Sequence, residues 1–121
     1  MTKKSLVVDD SASIRQLITI ALEDAGISVM SAGNGREALA KLGATKFDLI
    51  ITDLNMPEMD GIELIREVRG MPDYRFAPII MLTTEAQEEK KKQGKAAGAT
   101  GWIVKPFTSE QLLGIVKKVL K

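Results

Sequence analysis

The sequence predicts an α/β fold: a single doubly wound, five-stranded parallel sheet with five helices on its two faces. Three observations lead there. Short, almost uninterrupted apolar runs recur along the chain, among them LVV (6–8), LII (49–51) and IIML (79–82), as expected of strands buried on both faces. Segments with apolar residues at helical spacing alternate with them, which makes successive β–α units. No linker or low-complexity stretch divides the 121 residues, so positions 1–121 read as one domain with no output domain attached.

The first strand is SLVVD (5–9). After it Ile14, Leu17, Ile18, Ala21 and Leu22 fall at i, i+3, i+4, i+7 and i+8, a helix that stops at Gly26. ISVMSA (27–32) is the second strand, and Ala38, Leu39 and Leu42 form one face of the helix after it. FDLIIT (47–52) is the third strand; a loop with Pro57 and Gly61 leads into a helix that buries Ile62, Ile65 and Val68. PIIMLT (78–83) is the fourth strand, followed by a lysine-rich helix ending near Gly98. GWIV (101–104) is the fifth, and a last helix begins near Ser109 with Leu112, Ile115, Val116, Val119 and Leu120 facing inward.

Composition narrows the chemistry before any motif is read. Formal net charge is +1, which argues against nucleic acid as the main partner, and no apolar stretch approaches a membrane span. Cysteine is absent, as suits the cytoplasm, and so is histidine. Zinc or copper sites of the usual kind and triad-type catalysis thereby lose their ligands and their base. Any metal must be held by oxygen, and any nucleophile must be a carboxylate, hydroxyl or lysine.

Two of the buried strands end on acid: Asp9 and Asp10 after the first, Asp53 after the third. Burying an uncompensated carboxylate costs several kcal/mol. Ligands of open α/β sheets sit at the carboxyl ends of the strands, where Thr83 and Lys105 also fall. Helix capping accounts for Asp60 and is available to Asp10, but it does not account for Asp9 and Asp53 together. Three clustered carboxylates call for a hard divalent cation, and Mg²⁺ takes one or two carboxylates plus waters and phosphate oxygens. Acids, Mg²⁺, a lysine and a hydroxyl make a set suited to phosphoryl transfer, in which Asp53 itself can be the nucleophile.

These residues carry a resemblance. LVVDDS (6–11), DLIITDLNMPEMDG (48–61), IIMLTTEA (79–86) and GWIVKPF (101–107) are together similar to the receiver domain of bacterial response regulators, over essentially the whole chain. Within that family the chain is most similar to the CheY-type chemotaxis regulators. The resemblance implies a flavodoxin-like sheet with strand order 2-1-3-4-5. It implies that Asp53 is the phosphoacceptor, charged by a histidine kinase, and that Lys105 and the Thr83 hydroxyl grip the phosphoryl group with help from the Thr84 backbone N–H. Asp10, Asp53 and the Asn55 carbonyl would ligate Mg²⁺, with Asp9 acting largely through water. Glu85 and the Asn55 side chain would flank the path of attacking water and tune the lifetime of the phosphate. Pro106 would follow a cis peptide bond. The implied protein is a phosphoacceptor that takes the group from a donor and loses it by its own hydrolysis, not an enzyme acting on a separate substrate. Its implied partners are a chemotaxis kinase, a flagellar motor switch protein or another phospho-dependent target reached through the fourth helix, fifth strand and fifth helix, and a phosphatase.

Trp102 departs from the family pattern: it stands where a switching tyrosine is often found, and it has no hydroxyl. It reads either as a rotamer switch or as a fixed packing residue. GNGREA (33–38) fits the dinucleotide fingerprint on paper, but it follows the second strand and shares the sheet edge with the acids, so Gly35 is better read as punctuation at a helix start. A hydrolase working through an aspartyl phosphate would need an acid two positions after Asp53, where Asn55 stands. A phosphorelay intermediate or a phosphate sink would share the fold and the site and differ only in partners.

Overall fold

The computed structural model describes residues 2–120. Five strands, β1 (Lys4–Val8), β2 (Ser28–Ala32), β3 (Leu49–Asp53), β4 (Ile79–Thr83) and β5 (Gly101–Val104), form one sheet in the order β2-β1-β3-β4-β5, every pairing parallel. The helices are α1 (Ala12–Asp24), α2 (Gly35–Ala44), α3 (Gly61–Arg69), α4 (Glu88–Ala97) and α5 (Ser109–Val119). This is the predicted doubly wound architecture. Two 3₁₀ turns, Pro72–Tyr74 and Glu85–Gln87, were not predicted; each is three residues long, too short to leave a periodicity.

Burial follows strand position. β3 and β4 are buried at every residue, and β1 at all but Lys4, whereas the edge strands β2 and β5 alternate with more exposed residues. Side chains alternate across the sheet. Leu6, Val8, Ile50, Ile79 and Met81 pack with α2 and α3, while Val7, Leu49, Ile51, Ile80, Leu82 and Ile103 pack with α1 and α5. On α1 the stripe is narrower than predicted: Ile18, Ala21 and Leu22 are buried, but Leu17 lies on its flank and is exposed.

The helices differ in how they are attached. α3 buries Gly61, Ile62, Leu64, Ile65 and Val68, whereas α4 buries Gly94 alone. A Cβ at Gly94 would collide with the Met81 sulfur, so this glycine lets α4 lie directly on β4 despite a cost of about 1 kcal/mol relative to alanine within a helix.

The end of the sheet where the strands begin is held by neutral and cation-to-carbonyl hydrogen bonds. The buried Tyr74 hydroxyl lies between the carbonyls of Leu42 (3.1 Å) and Thr45 (2.8 Å) and accepts from the Phe47 amide (3.2 Å). Arg69 donates to the carbonyls of Tyr74 (2.8 Å), Ala77 (2.7 Å) and Gly98 (2.7 Å from Nη2), clasping the loops before β4 and β5. Gly98, at φ 120°, has to be glycine twice over, because a Cβ there would also run into the Arg69 side chain.

Candidate functional site

At the opposite end, four strand termini bring the predicted residues together. Carboxylate oxygens of Asp9, Asp10 and Asp53 lie within 4.8 Å of one another. Asp9 is fully buried and Asp53 nearly so, while Asp10 is exposed. Asp10 is free of capping duty, because Ser11 caps α1 through the Ile14 amide (3.3 Å). Asp60 does cap α3, accepting from the Glu63 amide at 2.9 Å.

Lys105 reaches in from the end of β5. Its Nζ stands 3.1 Å from Asp9 Oδ2 and 3.3 Å from Asp53 Oδ1, and its peptide bond to Pro106 is cis. The Lys105 amide donates to the Thr83 carbonyl at 2.6 Å, which ties the lysine's backbone to β4. Asp53 Oδ1 also accepts from the Leu54 amide (2.9 Å), so the lysine and this amide converge on one oxygen, and the Asn55 backbone N–H adds to the stabilisation of the carboxylate. Asp9 Oδ1 accepts from the Ser11 amide at 2.8 Å.

The electrostatics favour an added cation. Burial and then the neighbouring charge of Asp9 push the Asp53 carboxyl above its ordinary value, with Lys105 offsetting part of the rise. Burial pulls Lys105 down, but the charges of Asp53 and Asp9 outweigh it and hold the ammonium above its ordinary value. Three carboxylates and one ammonium leave two net negative charges, which a divalent ion would balance. The donors are all hard oxygens and one carboxylate opens to solvent, so the residues fit Mg²⁺, which keeps several waters.

The remaining predicted residues sit around this cluster. The Thr83 hydroxyl donates to the Thr84 carbonyl (2.9 Å). The Thr84 amide is engaged by the Gln87 side chain (2.8 Å) within a capping box that opens the Glu85–Gln87 turn. Glu85 is exposed in that turn and lines a cleft of about 450 Å³ with Trp102, Lys105 and Pro106. Trp102 points outward, 38% exposed, with the ammonium groups of Lys91 and Lys95 4.9 and 4.7 Å from the ring centroid. Asn55 is exposed, and its Oδ1 accepts from Lys90 Nζ on α4 at 2.7 Å.

Local geometry explains two sequence features of the loop after β3. A Cβ at Gly61 would collide with the Asp53 carbonyl, so only glycine lets α3 start against the acid-bearing strand end. Gly35 is likewise a close approach, since a Cβ would strike Met59 at 2.7 Å, and Asn34 caps α2 beside it. The fingerprint-like glycine therefore serves packing. Glu58 adopts φ 68° while the Met59 amide donates to the Pro57 carbonyl (2.8 Å), a tight γ-turn with no sequence signal. The TEAQ box at 84–87 did carry such a signal, a threonine followed three residues on by glutamine. Lys90, inside a run of charges, carried none.

A flavodoxin-like sheet with carboxylates from β1 and β3, a hydroxyl from β4 and a lysine from β5 defines a class. Residues 5–117 match the family model of the response regulator receiver domain, and the chain belongs to that family. It is the receiver domain of a two-component response regulator, and the particular likeness is to the CheY type. It is 54% identical to the chemotaxis protein CheY4 of Vibrio cholerae, whose structure superposes with a TM-score of 0.95, covering 99% of this chain and 100% of that one. It is 37% identical to the chemotaxis protein CheY of Pseudomonas aeruginosa, over 98% of this chain and 96% of the relative. It is also 43% identical to the transcriptional regulatory protein ResD of Bacillus subtilis, over 98% of this chain but only 48% of the relative, so the chain spans about half of that protein.

Proposed function

We propose that the chain is a phosphorylation-activated regulator whose chemistry is transfer of a phosphoryl group from a histidine kinase to Asp53, and that its signal serves chemotaxis. The observation that carries this reading is the bridge from Lys105 to both Asp9 and Asp53 beside the exposed Asp10. In the transfer, an Asp53 carboxylate oxygen attacks phosphorus in line, an O–P bond forms, and the P–N bond of the kinase's phosphohistidine breaks, with the imidazole leaving as the neutral or protonated base. Asp10, Asp53 and the Asn55 carbonyl would hold Mg²⁺, with Asp9 acting largely through water. When bound, the ion supplies charge neutralisation on the transferred group. Lys105, already 3.3 Å from Asp53, follows the charge onto the phosphoryl oxygens.

Two further groups change partners in this scheme. The Thr83 hydroxyl leaves the Thr84 carbonyl, and the Thr84 amide leaves Gln87, so that both donate to the phosphoryl group. Those exchanges loosen the turn that feeds α4 and bias the face made by α4, β5 and α5, on which Trp102 lies between two lysines. Similarity over the whole length of CheY4 supports a flagellar motor switch protein as the target and a chemotaxis kinase as the donor.

The test is intact mass after incubation with a small-molecule phosphodonor, with and without Mg²⁺. A Mg²⁺-dependent gain of one phosphoryl group, lost in Asp53→Asn, is expected; no gain in folded wild type would overturn the reading. Tighter binding of the phosphorylated form to a motor switch peptide is expected of a chemotaxis regulator. Onward transfer to a histidine phosphotransfer protein instead would place the chain in a relay.

A further inference from the structure

The contact between Lys90 and Asn55 spans 35 positions of sequence and joins α4 to the loop after β3 at 2.7 Å. Its chemistry fixes an orientation. A lysine ammonium has three donors and no acceptor, so the amide atom that meets it must be the carbonyl oxygen. Oδ1 of Asn55 is therefore turned toward α4 with one of its two lone pairs engaged, and the opposite end of the carboxamide, Nδ2, can only donate. Asn55 shares its groove with Asp10, Met56, Pro57, Asp60 and Lys90, two residues on from the acid that the proposed function phosphorylates.

That orientation matters for the fate of an aspartyl phosphate. In hydrolysis a water oxygen attacks phosphorus, the Asp53 O–P bond breaks, the carboxylate and inorganic phosphate are released, and the water must give up a proton. An amide oxygen turned toward that water would accept a hydrogen bond from it and align its lone pair; an amide N–H cannot. We propose that Lys90 is a positioning residue that lengthens the lifetime of the phosphorylated state by keeping the Asn55 acceptor engaged on α4. The inference rests on Asp53 being the phosphoacceptor. Lys90 acts through Asn55 and touches neither the donor nor the leaving group.

The test uses the full chain charged by a small-molecule phosphodonor with Mg²⁺, freed of donor, and followed by intact mass. Lys90→Met keeps the aliphatic stem and removes the donor; it is expected to lose phosphate about 2- to 10-fold faster, the span covered by one hydrogen bond of ordinary strength. Lys90→Arg, which restores donors, is expected to return the rate to the wild-type side. In an Asn55→Ala background, Lys90→Met is expected to change nothing. An unchanged or slower rate in Lys90→Met would overturn the proposal, and so would the same acceleration in the Asn55→Ala background, which would point to charge alone. The Asn55 side-chain NH₂ resonances of the unphosphorylated protein give a second reading. They are expected to shift in Lys90→Met and much less in Lys90→Arg, and no response would show that the contact is absent. Failure of wild type to accept any phosphoryl group is a different result, and it would remove the function reading together with this inference.

Discussion

The two ends of the sheet solve opposite problems with the same strands. Where the strands begin, Tyr74 and Arg69 meet carbonyls and an amide at ordinary hydrogen-bond distances. Where they end, three carboxylates crowd within 4.8 Å against a single lysine. One end pairs its polar groups with neutral or oppositely charged partners. The other leaves a net negative charge that a divalent ion would balance.

If that division holds, substitutions at the two ends should differ in sign as well as in size. The largest effect is expected from Arg69→Ala, which strips a cation from carbonyls of two loops and should cost about 3 kcal/mol, read as a lower urea midpoint. Phosphoryl uptake by the folded fraction should be unaffected. Next, Mg²⁺ at a hundredfold excess over its Kd should stabilise wild type by about 2.7 kcal/mol. The same addition should do much less for Asp53→Asn, and an equal gain in both would place the ion elsewhere. Tyr74→Phe should then cost about 2 kcal/mol, because it leaves the Phe47 amide and two carbonyls short of a partner.

The smallest effect has the opposite sign. Asp53→Asn, measured without divalent ions, should stabilise the fold by on the order of 1 kcal/mol, since it removes a buried like charge while Lys105 keeps Asp9 at 3.1 Å. The pH dependence follows from the raised Asp53 value. The native state holds this proton more tightly than the unfolded chain, so the group's stabilising contribution is full below the unfolded value and is lost as pH rises through the raised folded one. The advantage of Asp53→Asn should therefore be present at neutral pH and fade as the solution is acidified through that window. An advantage that persisted in acid would have another origin.

Much of this was legible in the sequence for one physical reason: a parallel sheet buries its central strands on both faces, so an apolar run that stops on a charge marks both a strand end and a site. Asp9, Asp53 and Lys105 were singled out that way and Thr83 by its place at the same edge, and the structure brings all four to one end of the sheet. The caps were partly legible, with Asp60 read correctly and Asp10 displaced by Ser11, since neighbouring polar residues compete for one capping position. Leu17 was misjudged because α1 carries more apolar residues than its buried stripe can cover. Lys90 and the turn at Glu58 were not legible. One depends on a long-range pairing within a charged run, the other on a backbone conformation that its residue type does not announce.

The shallow seating of α4 has a consequence for how motion is distributed. Its one buried residue is a glycine, which brings no side chain to anchor it, whereas α3 drives four apolar side chains into the core. Amide hydrogen exchange should thus rank the two helices clearly, with α4 opening at a small fraction of the global unfolding free energy and α3 close to all of it. If exchange ranks them so, the rearrangement of a few hydrogen bonds is enough to redirect α4 while the rest of the molecule stays in place.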